Sequence, residues 1–329
     1  MAQGKAWGED CLPCNTQLPG WADDFMEMIR DFWNGELKWN CSMADLSSFR
    51  VGGAASVAVF PRSLNELSLL VQGLGRMNLP WRVIGRGSNI LVSDSGLEGV
   101  LVVLGRDFCS IERIDIHRQE QVLVRVMAGC SLAKVLSWCA KQGLSGLEFA
   151  AGIPGSVGGA IAMNAGAFGR EISDVLYSVV IMDHAGTFRN KSHEQMQPAY
   201  RSWNEGADMT AVETTFKLKK GDPETIEARC REIIAQRKNK QPCHAMSCGS
   251  FFKNPDGIPA GKLIDEAGLK GFQVGGAQVS EKHANFIVNT GTATAADIVS
   301  LMKHIRERVL RKSGIILEPE VELLGFVNI

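Results

Sequence analysis

The sequence predicts a mixed α+β protein in two parts, a larger glycine-rich region followed by a smaller α/β unit. Three observations carry this reading. Strand-like runs are short and punctuated by glycine, with 35 Gly among 329 residues. Helix and strand do not alternate long enough for a doubly wound sheet. Gly221-Asp222-Pro223-Glu224 also starts a helix cleanly, with Asp222 as N-cap, Pro223 at the first helical position and Glu224 near the positive helix end.

The elements follow in chain order. Residues 1 to about 20 read as a loose tail. Residues 22 to 34 read as a short amphipathic helix, with Phe25, Met28, Ile29 and Phe32 on one face. Dense patterning begins at Asp45. Val57 to Phe60 is a strand stopped by Pro61, and Ser63 caps a helix carrying Leu64, Leu67, Leu70, Val71 and Leu74. Trp81 to Gly85, Ile90 to Val92 and Val100 to Leu104 are short strands, and Gln121 to Met127 is another. Ser131 caps a helix with Leu132, Val135, Leu136 and Cys139 on one face, ended by Gly143. Tyr177 to Met182 and Ala211 to Leu218 complete the first part. The helix after Asp222 carries Ile226, Cys230, Ile233 and Ile234. Thr294 with Asp297 forms a capping box for a last helix, and Val321 to Leu324 is the final strand.

Composition removes several classes. Hydrophobic residues at 45% and charged residues at 22% describe an ordinary folded chain. Lys+Arg 35 against Asp+Glu 36 leaves no bulk basic field for nucleic acid or an anionic membrane. The N-terminus has no apolar run of a signal peptide. Phe149 to Gly169 is uncharged and long enough to suggest a membrane span, but Pro154, Asn164 and six glycines make it buried loop and strand instead. Nine scattered cysteines fit reduced thiols in a cytoplasm. Cys11 and Cys14 form a lone CxxC without a second ligand pair, and His193-Glu194 lacks the second His of a zinc-protease motif, so no metal is expected.

Neither a P-loop nor a GxGxxG fingerprint is present. Three other loops stand beside strands: Arg50-Val51-Gly52-Gly53-Ala54, Gly85-Arg86-Gly87-Ser88-Asn89, and IPGSVGGAIAMNAGAFG from Ile153 to Gly169. Each alone reads equally as a tight turn or as a nest of backbone N–H groups for an anion. Three in one segment favour a diphosphate cofactor.

GRGSNILVSDSGLEGV (Gly85 to Val100) and the Ile153 to Gly169 segment resemble the FAD-binding segments of the UDP-N-acetylenolpyruvoylglucosamine reductase family. Ala199-Tyr200-Arg201, GSFFKNP (Gly249 to Pro255) and Leu317-Glu318-Pro319-Glu320-Val321 follow in the family's order. The resemblance runs from Asp45 to the C-terminus. It implies an N-terminal extension (1–44), a two-part FAD-binding region of the vanillyl-alcohol-oxidase (PCMH) type (45–220, divided near 105), and a C-terminal α/β substrate-binding domain (221–329). It implies non-covalent FAD reduced by NADPH, hydride delivery to C3 of the enolpyruvyl group of UDP-N-acetylglucosamine enolpyruvate, and protonation at C2. The product is UDP-N-acetylmuramate, a peptidoglycan precursor made in the cytoplasm. No nucleic acid, membrane or protein partner is implied.

The site residues implied are these. Arg201 stabilises the carboxylate and developing enolate, Ser250 donates the proton to C2, and Glu320 assists at the carboxylate end. The flavin loops contribute Arg50, Gly52, Gly53, Gly85, Arg86, Gly87, Ser88, Asn89, Ile153, Pro154, Gly155, Ser156, Gly158, Gly159, Ala160, Asn164 and Gly166. Substrate contacts are Tyr200, Lys240 (for the diphosphate), Asn254 and His283. Outside the motifs, Arg201 reads as a surface ion-pair partner, Ser250 as a turn residue and Glu320 as a solvated strand residue. The chain departs from the family's Tyr-Arg-x-Ser by having Trp203 after Ser202, and it looks like the branch without an inserted tyrosine loop. The competing readings are another FAD oxidoreductase of the same type and a non-catalytic nucleotide-sugar sensor.

Overall fold

The computed structural model describes residues 18–114, 121–203, 209–255 and 257–327. The tail with Cys11 and Cys14, and most of the Trp203 to Ala211 connection, lie outside the described residues. The first sheet has the order Glu36–Ser42, Ala54–Phe60, Leu97–Val103, Trp81–Ile84, antiparallel across the first pair and parallel across the others. Helix Leu64–Arg76 covers one face. The Ser63 hydroxyl accepts from the Glu66 N–H, and Leu67, Leu70, Val71 and Leu74 are fully buried against Val57, Val59 and Val102. Each such side chain contributes roughly 1.5–3 kcal/mol by burial.

The second sheet is antiparallel, in the order Phe188–Ser192, Leu176–Met182, Thr210–Lys220, Gln121–Met127, Ile111–Ile114. Helix Leu132–Lys141, capped by Ser131, packs Val135, Leu136 and Cys139 into its core. The C-terminal part builds a third core around helix Ala295–Ser313, whose capping box is formed by Thr294 and Asp297.

Several expectations are corrected. The first sheet begins at Glu36, inside the segment read as an extension, because Glu36–Ser42 pairs with Ala54–Phe60. The early helix stops at Ile29 rather than running to residue 34. The uncharged segment read as loop and strand contains helix Val157–Ala162, started by Ser156, whose hydroxyl accepts from the Gly159 N–H.

The C-terminal third is not closed on itself. Its core includes Phe49, Val51 and Leu91. Its final strand, Glu322–Leu324, lies parallel to Ile90–Val92. Asp94, just after strand Ile90–Val92, accepts from the N–H groups of Ala295 and Ala296 and so ties the end of that strand to the last helix. The loop segments 47–51 and 89–94 are thereby stitched to the C-terminal unit, and the site lies along this seam.

Candidate active site

All three glycine loops reach one cavity of about 1540 Å³, well beyond the roughly 300–1,000 Å³ of a single-ligand pocket. Two of them interlock. A Cβ on Gly85 would lie 2.0 Å from the Ser156 hydroxyl, and one on Gly155 would lie 2.9 Å from the Ser88 hydroxyl, so a side chain at either glycine would displace the serine facing it. Arg50, Gly85, Arg86, Ser88, Asn89, Ile153, Pro154 and Gly166 line the cavity. The backbone N–H groups of Arg86 and Ser88 donate to no acceptor among the described residues. Free N–H donors beside two arginines suit a diphosphate, so the wall fits the phosphates of FAD.

The other assigned loop residues lie behind the wall. Gly52 and Gly53 press backbone against residues 92–96, and Gly87 presses against the Leu46 carbonyl. Gly155, Ser156, Gly158, Gly159 and Ala160 form and seat the short helix, where Gly158 abuts Ala128. Asn164 is fully buried, donating to the Ala199 carbonyl at 3.1 Å and accepting from the Ser173 N–H at 3.0 Å. These residues shape the loops rather than line the cavity.

Arg201, Ser250 and Glu320 all line the same cavity. Ser250 is set by its neighbours. Phe251 and Phe252 are fully buried anchors. Asn285 grips both: its carbonyl accepts from the Phe251 N–H at 2.7 Å, and its side chain exchanges bonds with the Phe252 N–H and carbonyl at 3.0 and 2.8 Å. The Ser250 hydroxyl has no hydrogen-bond partner among the described residues. Glu320 arrives by a short antiparallel pairing, in which its N–H donates to the Phe251 carbonyl at 2.8 Å and the Lys253 N–H donates to the Glu318 carbonyl at 2.9 Å. The Asn89 amide donates to the Glu320 carbonyl at 3.0 Å, and the Glu322 N–H donates to the Asn89 carbonyl at 3.0 Å. Asn89 therefore fixes the Glu320 backbone to the second flavin loop.

Arg201 sits at φ +57° at the turn of the small hairpin Pro198–Ala199 and Ser202–Trp203. Its Nε donates to Glu320 Oε1 at 3.0 Å, and its two terminal nitrogens donate to the carbonyls of Asn164 (3.4 Å) and Gly166 (3.0 Å). The planar fork is thus held at its edges. Burial pushes the Glu320 carboxyl above the ordinary carboxylate range, against the opposing pull of Arg201 and Lys253. Trp203 is half-buried and donates from Nε1 to the Ile161 carbonyl, which ties the Arg201 hairpin to helix Val157–Ala162.

Tyr200, Lys240, Asn254 and His283 also line the cavity. The Arg201 guanidinium lies 5.0 Å from the Tyr200 ring centroid, and the Tyr200 hydroxyl accepts from the Asn254 N–H at 3.4 Å. Asn254 Oδ1 accepts from the Ala260 N–H at 2.9 Å, which leaves its NH₂ group as donor. Burial, aided by Lys270, lowers the His283 pKa, and Nδ1 accepts from the Asn285 N–H, so a neutral ring presents Nε2–H. A second cavity of about 650 Å³ shares Ser250, Asn254 and His283 and adds Lys262, Lys270 and Lys282.

Sequence reasoning missed Asn285 and Arg237. Arg237 lines the cavity with its guanidinium 5.6 Å from the Phe168 ring centroid and its Nε buried without a partner among the described residues. Its signal was visible as the basic end of a helix, but charge at a helix C-terminus has a sufficient explanation in the helix dipole. Asn285 sits in an unremarkable His-Ala-Asn-Phe stretch and carried no signal.

Two family models match the chain: an FAD binding domain over residues 55–191, and the C-terminal domain of UDP-N-acetylenolpyruvoylglucosamine reductase over residues 241–324. A UDP-N-acetylenolpyruvoylglucosamine reductase of Halalkalibacterium halodurans is 41% identical over 304 residues, covering 92% of this chain and 99% of the relative. One of Syntrophus aciditrophicus is 40% identical over 312 residues, covering 94% and 99%. The crystal structure of UDP-N-acetylenolpyruvylglucosamine reductase from Thermus caldophilus superposes with a TM-score of 0.75 at 35% identity, covering 89% of this chain and all of that one.

Proposed function

The chain belongs to the UDP-N-acetylenolpyruvoylglucosamine reductase family, and we infer that it performs that family's reaction as an FAD-dependent oxidoreductase of peptidoglycan precursor synthesis. The substrate is UDP-N-acetylglucosamine enolpyruvate, the reductant NADPH and the product UDP-N-acetylmuramate. Bound FAD would supply the two-electron chemistry that carries hydride from NADPH to C3 of the enolpyruvyl group.

The rest falls to the chain. Hydride arriving at C3 drives electron density through C2 onto the carboxylate, and that charge must meet preorganised donors. Arg201 is the donor we propose, since its fork is already fixed by Glu320 and two carbonyls. Ser250 is the proposed acid at C2. An enolate is basic enough to take a proton from a hydroxyl, and this hydroxyl has no competing partner among the described residues. Glu320 completes the set. Burial raises its pKa against the pull of Arg201, so the carboxyl takes up a proton more readily than an ordinary glutamate, and its bond from Arg201 Nε orients that guanidinium toward the substrate carboxylate. Arg50, Arg86 and the free N–H groups of the second loop are proposed to hold the FAD diphosphate, and Tyr200, Lys240, Asn254 and His283 the nucleotide substrate.

What supports this reading most is the convergence of Arg201 and Glu320, 119 residues apart in sequence, into a 3.0 Å contact on the cavity that the flavin loops also line. Among the described residues no helix is long and apolar enough to cross a membrane. Nine cysteines without a disulfide framework, and a reaction that consumes NADPH, favour the cytoplasm. The test is direct. With NADPH in large excess over flavin-loaded protein and air excluded, NADPH should be consumed beyond one equivalent per flavin only when the enolpyruvyl nucleotide is present, and the product should gain two hydrogens in mass. NADPH oxidation that ignores the nucleotide would overturn the reading.

A further inference from the structure

Away from the reacting groups, the flavin cavity carries a thiol pair that the reaction leaves unused. Cys109 Sγ and Cys130 Sγ lie 2.8 Å apart, and Cys109 lines the cavity wall with Lys134 and Ser131. A disulfide needs a sulfur separation of about 2.05 Å, so bonding requires less than an ångström of approach. The backbone on both sides is already paired. The Gly129 N–H donates to the Phe108 carbonyl at 2.8 Å, and the Met127 N–H donates to the Ser110 carbonyl at 3.1 Å. This continues the ladder between Ile111–Ile114 and Gln121–Met127. On the far side, the Val157 N–H donates to the Cys130 carbonyl at 2.8 Å.

The two sulfurs are unequal. Cys130 is fully buried. Its thiol is pushed up to about 12, by burial first and then by its hydrogen bond with Cys109. Cys109 is half-buried on the cavity wall, and Lys134 Nζ donates to its sulfur at 3.2 Å. A cation at that distance stabilises the negative charge that sulfur carries as a nucleophile. One thiol is therefore presented at the cavity beside a cation, and the other lies buried behind it.

We propose that Cys109 and Cys130 are a reversible dithiol–disulfide site in the wall of the flavin cavity, with Cys109 attacking and Cys130 resolving. The oxidant is a low-molecular-weight disulfide of the glutathione class. The Cys109 thiolate attacks one sulfur of that disulfide, its S–S bond breaks, and one thiolate leaves with a mixed disulfide formed on Cys109. Cys130 then loses its proton and attacks the Cys109 sulfur, expelling the second small thiolate. Two protein thiols are oxidised, one small disulfide is reduced to two thiols, and a dithiol reductant reverses the sequence.

The test is made on the flavin-loaded full chain incubated with glutathione disulfide, then alkylated, digested and analysed by mass spectrometry. Wild type should lose two hydrogens in mass and yield one cross-linked peptide pair joining Cys109 to Cys130, restored by dithiothreitol. Cys130→Ser should stop at a mixed disulfide on Cys109. Lys134→Gln should slow formation about tenfold without changing which cysteines are joined, since it removes the cation beside the attacking sulfur. The proposal is overturned if both thiols remain open to alkylation, if wild type stops at the mixed disulfide, or if Cys109 joins a different cysteine.

Discussion

Replacing Arg201 by alanine separates binding from chemistry. The guanidinium bridges Glu320, the Asn164 carbonyl and the Gly166 carbonyl, with the Arg201 and Glu320 side chains only 16% and 11% exposed. Removing one partner of a buried ion pair costs about 3–5 kcal/mol. The lower end applies here, because Glu320 already has a raised pKa and can take up a proton when the cation leaves. The backbone adds no difference, since alanine and arginine bear the same penalty at φ +57°. In the reaction, loss of a preorganised donor to a developing oxyanion costs about 3 kcal/mol of barrier, roughly a hundredfold in rate. Stopped-flow absorbance of the flavin resolves the two halves. Reduction by NADPH should change by no more than a few-fold, whereas reoxidation by the enolpyruvyl nucleotide should slow about a hundredfold. Arg201→Lys should fall between, because an ammonium retains the charge but lacks the fork. Equal slowing of both half-reactions would make Arg201 a purely structural residue and refute the assignment.

Three further outcomes follow from other parts of the site. Acid precipitation of the yellow protein should release FAD into the supernatant, and colour retained on the pellet would contradict non-covalent binding. Gly87→Ala meets a positive φ of +60° and puts a Cβ 1.8 Å from the Leu46 carbonyl, so it should cost more than about 1 kcal/mol and weaken flavin binding, read by thermal unfolding and flavin titration. Because the folded pKa of Glu320 lies above its ordinary value of 4.5, its contribution to stability is complete below that value and is lost as pH rises through the raised one; Glu320→Gln should flatten this slope in urea titrations run across pH, and an unchanged slope would remove Glu320 as its source.

Much of the scaffold was legible because its signals are local. Ser63, Ser131, Asp222 and Thr294 all cap the helices their side chains announce. Helix Val157–Ala162 was not legible, because Gly158 and Gly159 argue against any helix. It is held by tertiary contact instead, with Val157, Ala160 and Ile161 buried in the second core. The C-terminal unit read as self-contained because nothing local reveals that Phe49, Val51 and Leu91 join its core or that its last strand pairs with Ile90–Val92. At the site, residue patterning alone left Arg201 and Glu320 as solvent-facing charges, and only the motifs selected them. The structure supplies the physical reason they differ from surface charges: each is largely buried and is the other's partner. Asn89 and Asn285 show the limit in the other direction, since a side chain that grips backbone distant in sequence has no pattern by which to be found.

The central claim is that this cavity reduces the enolpyruvyl carbon with a proton from Ser250, and a single-turnover experiment on Ser250→Ala meets it most directly. The substitution removes one oxygen with no hydrogen-bond partner among the described residues, between Gly249 and the buried Phe251, so the fold should tolerate it. Reduction of the flavin by NADPH involves no proton transfer to C2 and should proceed at close to the wild-type rate. Reoxidation by the enolpyruvyl nucleotide should slow by about a hundredfold or more, the usual contribution of a positioned general acid. Ser250→Cys should recover part of that loss, since a thiol also donates a proton. Reoxidation of Ser250→Ala at close to the wild-type rate would contradict the account and leave water or another side chain as the acid.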